Sequence, residues 1–204
     1  MLRSLVVSLF AIPGILNSQE PFPALVREAL ELRIPLACRE PITIQQDSLR
    51  YWPTARFYVG RCEAEFGLPQ AAVVALDSAG VFYLLDSQAS FEFFERRVGT
   101  PPIDSAQRTD YALHVAKLAN VIPWDATLQL GGEPHPDPRR LAPAFPTEGT
   151  CAPVRPPWHR ERQGIWTVGF DAATAWWVGR VLFTRVGARV LIDSTFRCAA
   201  AHNP

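Results

Sequence analysis

Three consecutive runs near the C-terminus place apolar side chains at alternate positions, and this pattern limits the fold more than any other feature of the chain. A period of two sends successive side chains to opposite faces of a strand, so the pattern calls for a sheet with one buried face. Residues 165–170, 175–184 and 188–198 are therefore predicted to form a three-stranded antiparallel meander. With its second turn centred on Val186-Gly187, one face pairs Trp177 with Phe196, Gly179 with Ser194, Val181 with Ile192 and Phe183 with Val190. That face is the expected core, with Gly179 opposite Ser194 forming a notch. The other face pairs Trp176 with Arg197, Arg180 with Asp193, Leu182 with Leu191 and Thr184 with Arg189. It carries an opposed ion pair and a cation–π contact.

The preceding residues alternate between strand and helix signals. Residues 22–34 read as an amphipathic helix, and 42–44 and 55–62 as extended segments. A hairpin follows, with strands over 71–76 and 81–85 joined through Ser78-Ala79-Gly80, where Gly80 takes the left-handed place of a bulged turn. Asp77 initiates that turn. Asp86 stands too far along the strand to act with it as an acid–base pair. A helix over 90–98 turns Phe91, Phe94 and Val98 inward. Another over 104–120 opens on a capping box between Asp104 and Gln107 and carries the core stripe Tyr111, Val115 and Leu118. Residues 131–164 include eight prolines and lose all apolar periodicity, so they are expected to be a long loop. The fold class expected is α+β, with helices packed on an antiparallel sheet, in a single domain over 19–204.

Residues 1–18 have the outline of a secretory signal peptide: Arg3, an apolar run over 5–16, then Asn17 and Ser18. As a helix that run would reach roughly 18 Å, short of a hydrocarbon core of about 30 Å. Periplasmic or secreted location is the expectation. Cys38, Cys62, Cys151 and Cys198 contain no close pair of the kind zinc sites use. In an exported chain their even number suggests two disulfides, and Cys38–Cys62 with Cys151–Cys198 gives the shortest loops. Equal numbers of acidic and basic residues, 20 of each, remove the charge footprint of a nucleic-acid binder.

The chain contains no G-x-S-x-G elbow, H-E-x-x-H pair, phosphate-binding loop or dinucleotide fingerprint. No cofactor is expected. His135 and Asp137, with His159 and Glu161, form two H-x-acid pairs in the proline-rich segment and are the candidate metal ligands. His114 is expected to be a hydrogen-bonded structural residue. Trp158, Trp176, Arg180 and Arg197 are the candidates for ligand or partner binding, since Trp and Arg dominate binding hot spots. These features together suggest an exported, non-catalytic protein that binds a protein partner in the cell envelope or a small ligand. The alternatives are a peripheral subunit of a membrane complex and a secreted hydrolase with its site in the proline-rich loop.

Overall fold

Two antiparallel sheets enclose a pair of helices in the computed structural model, which describes residues 42–63, 69–130, 154–174 and 177–199, with Ala24, Arg27, Glu28 and Glu31. The N-terminal sheet is a simple meander of β1 (Thr43–Asp47), β2 (Arg56–Glu63), β3 (Pro69–Leu76) and β4 (Phe82–Leu85). Helices α1 (Gln88–Val98) and α2 (Arg108–Leu118) follow. The C-terminal sheet contains β5 (Thr127–Gln129), β6 (Trp158–Arg162), β7 (Ile165–Ala173), β8 (Trp177–Val186) and β9 (Arg189–Ala199). Strands β5 and β6 share one edge of β7: β5 pairs with its last three residues and β6 with its first five. The four described residues between 24 and 31 are helical and exposed, in keeping with the amphipathic helix expected there.

The α+β class holds, but with two sheets where one was expected. The reason lies in α2, which buries Tyr111, Ala112, Leu113, Val115, Ala116 and Leu118. A helix apolar around so much of its circumference needs cover on more than one side. Accordingly, a single core joins Phe57, Val73 and Leu85 of the first sheet to Val168, Phe170, Val181 and Phe183 of the second through the two helices. Helix α1 packs against both β4 and β9.

Local chemistry sets the element ends. Asp77 Oδ1 accepts from the amides of Ala79 and Val81, both at 2.9 Å, and Gly80 sits at φ +80°, as the hairpin pattern predicts. Ser87 caps α1, its side chain accepting from the Ser90 amide while Ser90 Oγ accepts from the Ser87 amide. Asp104 and Gln107 make their reciprocal box ahead of α2, with the Gln107 amide 2.8 Å from Asp104 Oδ1.

The C-terminal meander of β7, β8 and β9 is present with its register displaced. Phe183 stands opposite Ile192, Val181 opposite Ser194, Leu182 opposite Asp193 and Thr184 opposite Leu191. From Gly179 to Val186 each β8 residue thus meets a β9 partner two places beyond the expected one, which preserves the inner and outer faces. The turn causes the difference. Gly187 and Ala188 form a two-residue loop between the paired Val186 and Arg189, and Gly187 at φ +60° fills the left-handed first position such a loop requires. The same displacement brings Gly179 opposite Phe196, so the expected notch against Ser194 does not form, and a further irregularity between Val178 and Gly179 places Val178 opposite Cys198 and Trp177 opposite Ala199.

Part of the segment read as a proline-rich loop is strand β6. All five of its residues are exposed, so it lacks the apolar alternation that marks a half-buried strand. Pairing with β7 holds it, through a tight turn in which Gln163 and Gly164 both have positive φ. Residues 131–153 of that segment lie outside the described residues.

Candidate binding face

The register of β6 to β9 arranges the outward side chains of the C-terminal sheet as a grid. One row across the strands runs Trp158, Gly169, Leu182, Asp193; the next runs Arg160, Thr167, Thr184, Leu191; the third runs Arg162, Ile165, Val186, Arg189. Among the described residues eight large apolar side chains are exposed, and five of them belong to this grid: Trp158, Ile165, Leu182, Val186 and Leu191. Scattered exposed apolar residues are ordinary, whereas a contiguous set on one face marks an interaction surface.

Trp158 anchors the grid. A Cβ placed on Gly169 would come within 2.4 Å of the Trp158 indole, so only glycine lets the ring lie directly on the sheet. With one side against the strand, the indole remains 47% exposed. Leu182 follows in the same row and Leu191 projects from the neighbouring one, at 40% and 59% exposure. Thr167 and Thr184 hydrogen-bond to each other at 3.2 Å between these apolar groups. Arg160, Arg162 and Arg189 are exposed along the margin, together with Asp193.

Arg180 lies beside the grid in a different pairing from the one expected. It faces Thr195 on β9 and Asp171 on β7, and Asp193 pairs with Leu182. Its guanidinium grips Asp171 with two bonds, Nε to Oδ1 at 2.8 Å and Nη2 to Oδ2 at 3.0 Å. Asp171 also accepts from the Arg155 amide at 3.0 Å. Arg180 therefore holds a buried carboxylate and borders the grid. Trp176 and the side chain of Arg197 lie outside the described residues.

His159 and Glu161 belong to β6, where alternation directs them to the same side, away from Trp158. Arg108 of α2 occupies Glu161 at 2.7 Å. His135 and Asp137 lie outside the described residues, within which no group of three or more metal-binding side chains occurs. Cys62 is buried on β2 and is not a free thiol. The side chains of Cys38, Cys151 and Cys198 lie outside the described residues.

The inner side of the same sheet carries a buried polar group. Arg185 Nη2 donates to Glu95 Oε2 at 2.7 Å and Nη1 to Glu95 Oε1 at 3.1 Å, while Tyr111 donates its hydroxyl to Glu95 Oε1 and accepts from Arg185. Arg185 also reaches Thr100 Oγ1 and the Gly187 carbonyl. Glu95 is 1% exposed and Arg185 5%. Burial, followed by the Glu95 carboxylate, pushes the Tyr111 hydroxyl well above its ordinary pKa. For Arg185, burial acts to lower the pKa, but the bonds to Glu95 and Tyr111 raise it overall. The cluster ties α1 and α2 to β8. His114 is bonded as expected, its Nδ1 2.8 Å from the Asp110 carbonyl oxygen.

No protein-family model, curated protein or solved structure matches the chain. Trp158 stands out in the sequence as a candidate, whereas its neighbours Ile165, Leu182, Val186 and Leu191 do not. The signal for Leu182 and Val186 lay in the alternation of β8, and it becomes an address on a surface only when Gly187-Ala188 sets the register.

Proposed function

We propose that this protein acts outside the cytoplasm as a non-catalytic binding protein, engaging a protein partner of the cell envelope through the outer face of its C-terminal sheet. The observation that carries the reading is the exposed indole of Trp158 laid on Gly169, in one grid with Leu182 and Leu191. A rigid aromatic anchor among apolar neighbours is the usual energetic centre of a protein interface. The arginine margin favours a partner with carboxylates around an apolar centre, because guanidinium forks bind carboxylates bidentately. Export is supported by the charge–apolar–polar order of residues 1–18, and it fits a chain whose cysteines pair as Cys38–Cys62 and Cys151–Cys198. No helix among the described residues is long and apolar enough to cross a membrane.

Affinity capture from the source envelope tests the reading, using the full chain as bait and a Trp158→Ala, Leu191→Asp variant as control. The native bait is expected to retain one stoichiometric partner, with at least about 2 kcal/mol lost in the variant. The circular dichroism spectrum of the variant should be unchanged. Equal capture by both baits would defeat the assignment of the face. A recovered protein whose N-terminus is not near Gln19 would defeat the export part separately.

A further inference from the structure

The chain contains a single lysine, Lys117, and it borders a cavity of about 190 Å³ between the N-terminal sheet and the end of α2. The cavity exists because β4 leaves β3 early. After the Val73–Leu85 pair the chain turns away into α1, so Ala71 and Ala72 continue along β3 with no strand on that side. The segment after α2 fills the opening only partly. Ala71, Ala72, Leu84 and Asp86 line it from β3 and β4, and Lys117, Asn120 and Trp124 line it from the end of α2 and the segment that follows. Asn120 adopts φ +54°, a left-handed conformation that sharply reverses the chain after the helix.

Lys117 stands 6.0 Å from the centroid of the Trp124 ring and makes no hydrogen bond or ion pair with any described residue. Burial lowers its pKa despite the opposing carboxylates of Asp125, Asp110 and Asp47, with Arg61 adding to the lowering. Those three carboxylates against one guanidinium make the surroundings unfavourable for an anionic ligand and leave a neutral electrophile as the better match. A dry cavity of about 150 Å³ accommodates benzene, so this one has room for a ring with one small substituent.

We propose that Lys117 and its cavity form a site for a small neutral aldehyde, held as an imine on Nζ. The Nζ lone pair attacks the carbonyl carbon, the C=O π pair passes to oxygen, and proton transfer from nitrogen to oxygen gives the carbinolamine. Loss of water then breaks the C–O bond and forms C=N, so aldehyde and amine give imine and water with no oxidant or reductant. The Asn120 carboxamide supplies a donor at the cavity wall for the carbinol oxygen, and Trp124 provides a flat surface for the ligand body. This site is independent of the C-terminal sheet and of any partner held there.

The test is reductive trapping of the full chain with benzaldehyde and sodium cyanoborohydride at neutral pH, followed by peptide mapping. One benzyl group is expected on Lys117. It should form faster than on a blocked lysine peptide, because the cavity gathers the aldehyde at Nζ and the lowered pKa leaves more of the amine neutral. The rate is also expected to saturate with aldehyde concentration, because the ligand occupies the cavity before reacting. Lys117→Arg should abolish the adduct on that peptide while leaving the one on the N-terminal α-amine. Trapping at the peptide's rate, or a rate that stays linear in aldehyde, would overturn the proposal without reference to any variant's folding.

Discussion

Helix α1 rests on rings against the N-terminal sheet, whereas against the C-terminal sheet it is held by polar bonds. Trp52 packs edge-on to Phe91 and Phe94, and Phe94 does the same with Phe57 and Tyr83. On the opposite side Glu95 receives Arg185 and Tyr111, while Gln88 and Glu92 of α1 reach the free edge of β9. Gln88 donates to the Val190 carbonyl and accepts from the Ile192 amide, and Glu92 accepts from the Val190 amide. The outward faces differ in parallel. Outside the N-terminal sheet, Val74 is buried among partly covered Ile44, Tyr58, Phe82 and Leu84; outside the C-terminal sheet the apolar grid is open. Ring packing tolerates small shifts in angle, while directed bonds fix position. The sheet that presents the binding face is therefore the one whose placement on the core is most tightly specified.

Removing the ion pair should have the largest effect. Glu95→Ala leaves a guanidinium buried without its counter-charge and is expected to cost about 3–5 kcal/mol in urea unfolding. Glu95→Leu combined with Arg185→Met removes both charges and should recover most of that loss, or exceed native stability. A cost under about 1 kcal/mol for the single change would mean that the two sheets are held alike.

Gln88→Ala comes next. It withdraws two bonds from the β9 edge at an expected cost of about 1–2 kcal/mol. Hydrogen exchange should accelerate at Ile192 and leave the β2–β3 ladder unaffected. Acceleration in both sheets would show a global loss of stability and not a local clasp.

The smallest effect concerns alkaline pH and belongs to the N-terminal side. Burial and a bond to Asp77 push the Tyr83 hydroxyl up to about 12, and burial with a bond to Asp110 does the same for Tyr51. A phenol ordinarily titrates near 10, so the native state holds these protons more tightly than the unfolded chain. The associated stability is complete below about pH 10 and is lost as pH rises toward about 12. Tyr83→Phe should cost about 1 kcal/mol at neutral pH and flatten that alkaline decline. A decline of unchanged steepness would assign it elsewhere.

The β3–β4 hairpin, the box before α2, the buried stripe of that helix and the inner face of the C-terminal meander were all legible, because each depends on neighbours within a few residues. Asp77 and Gly80 form their turn regardless of the rest of the chain, and Tyr111, Val115 and Leu118 lie on one side of any helix that contains them. Strand β6 was illegible because Trp-His-Arg-Glu-Arg carries no alternation, and its strand character comes from β7. The partners of Arg180 and Arg185 were hidden for a related reason. Arg180 reads in the sequence as the partner of Asp193 and Arg185 carries no local signal, until the register and the arrival of α1 bring Asp171 and Glu95 to them. The grid around Trp158 depends on both of these long-range facts.

Glu95 and Arg185 are separated by 90 residues, and that distance governs the order in which the molecule can be completed. A chain emerging N-terminus first can close its first sheet onto α1 and α2 early, but the opposite flank of those helices then carries a carboxylate bonded to Tyr111 and lacking its counter-charge until β8 arrives. Contacts of such long span form slowly, and the half-covered helices are prone to self-association in the interval. Any factor that shields the nascent protein should act on that flank, and its release should coincide with the appearance of Arg185.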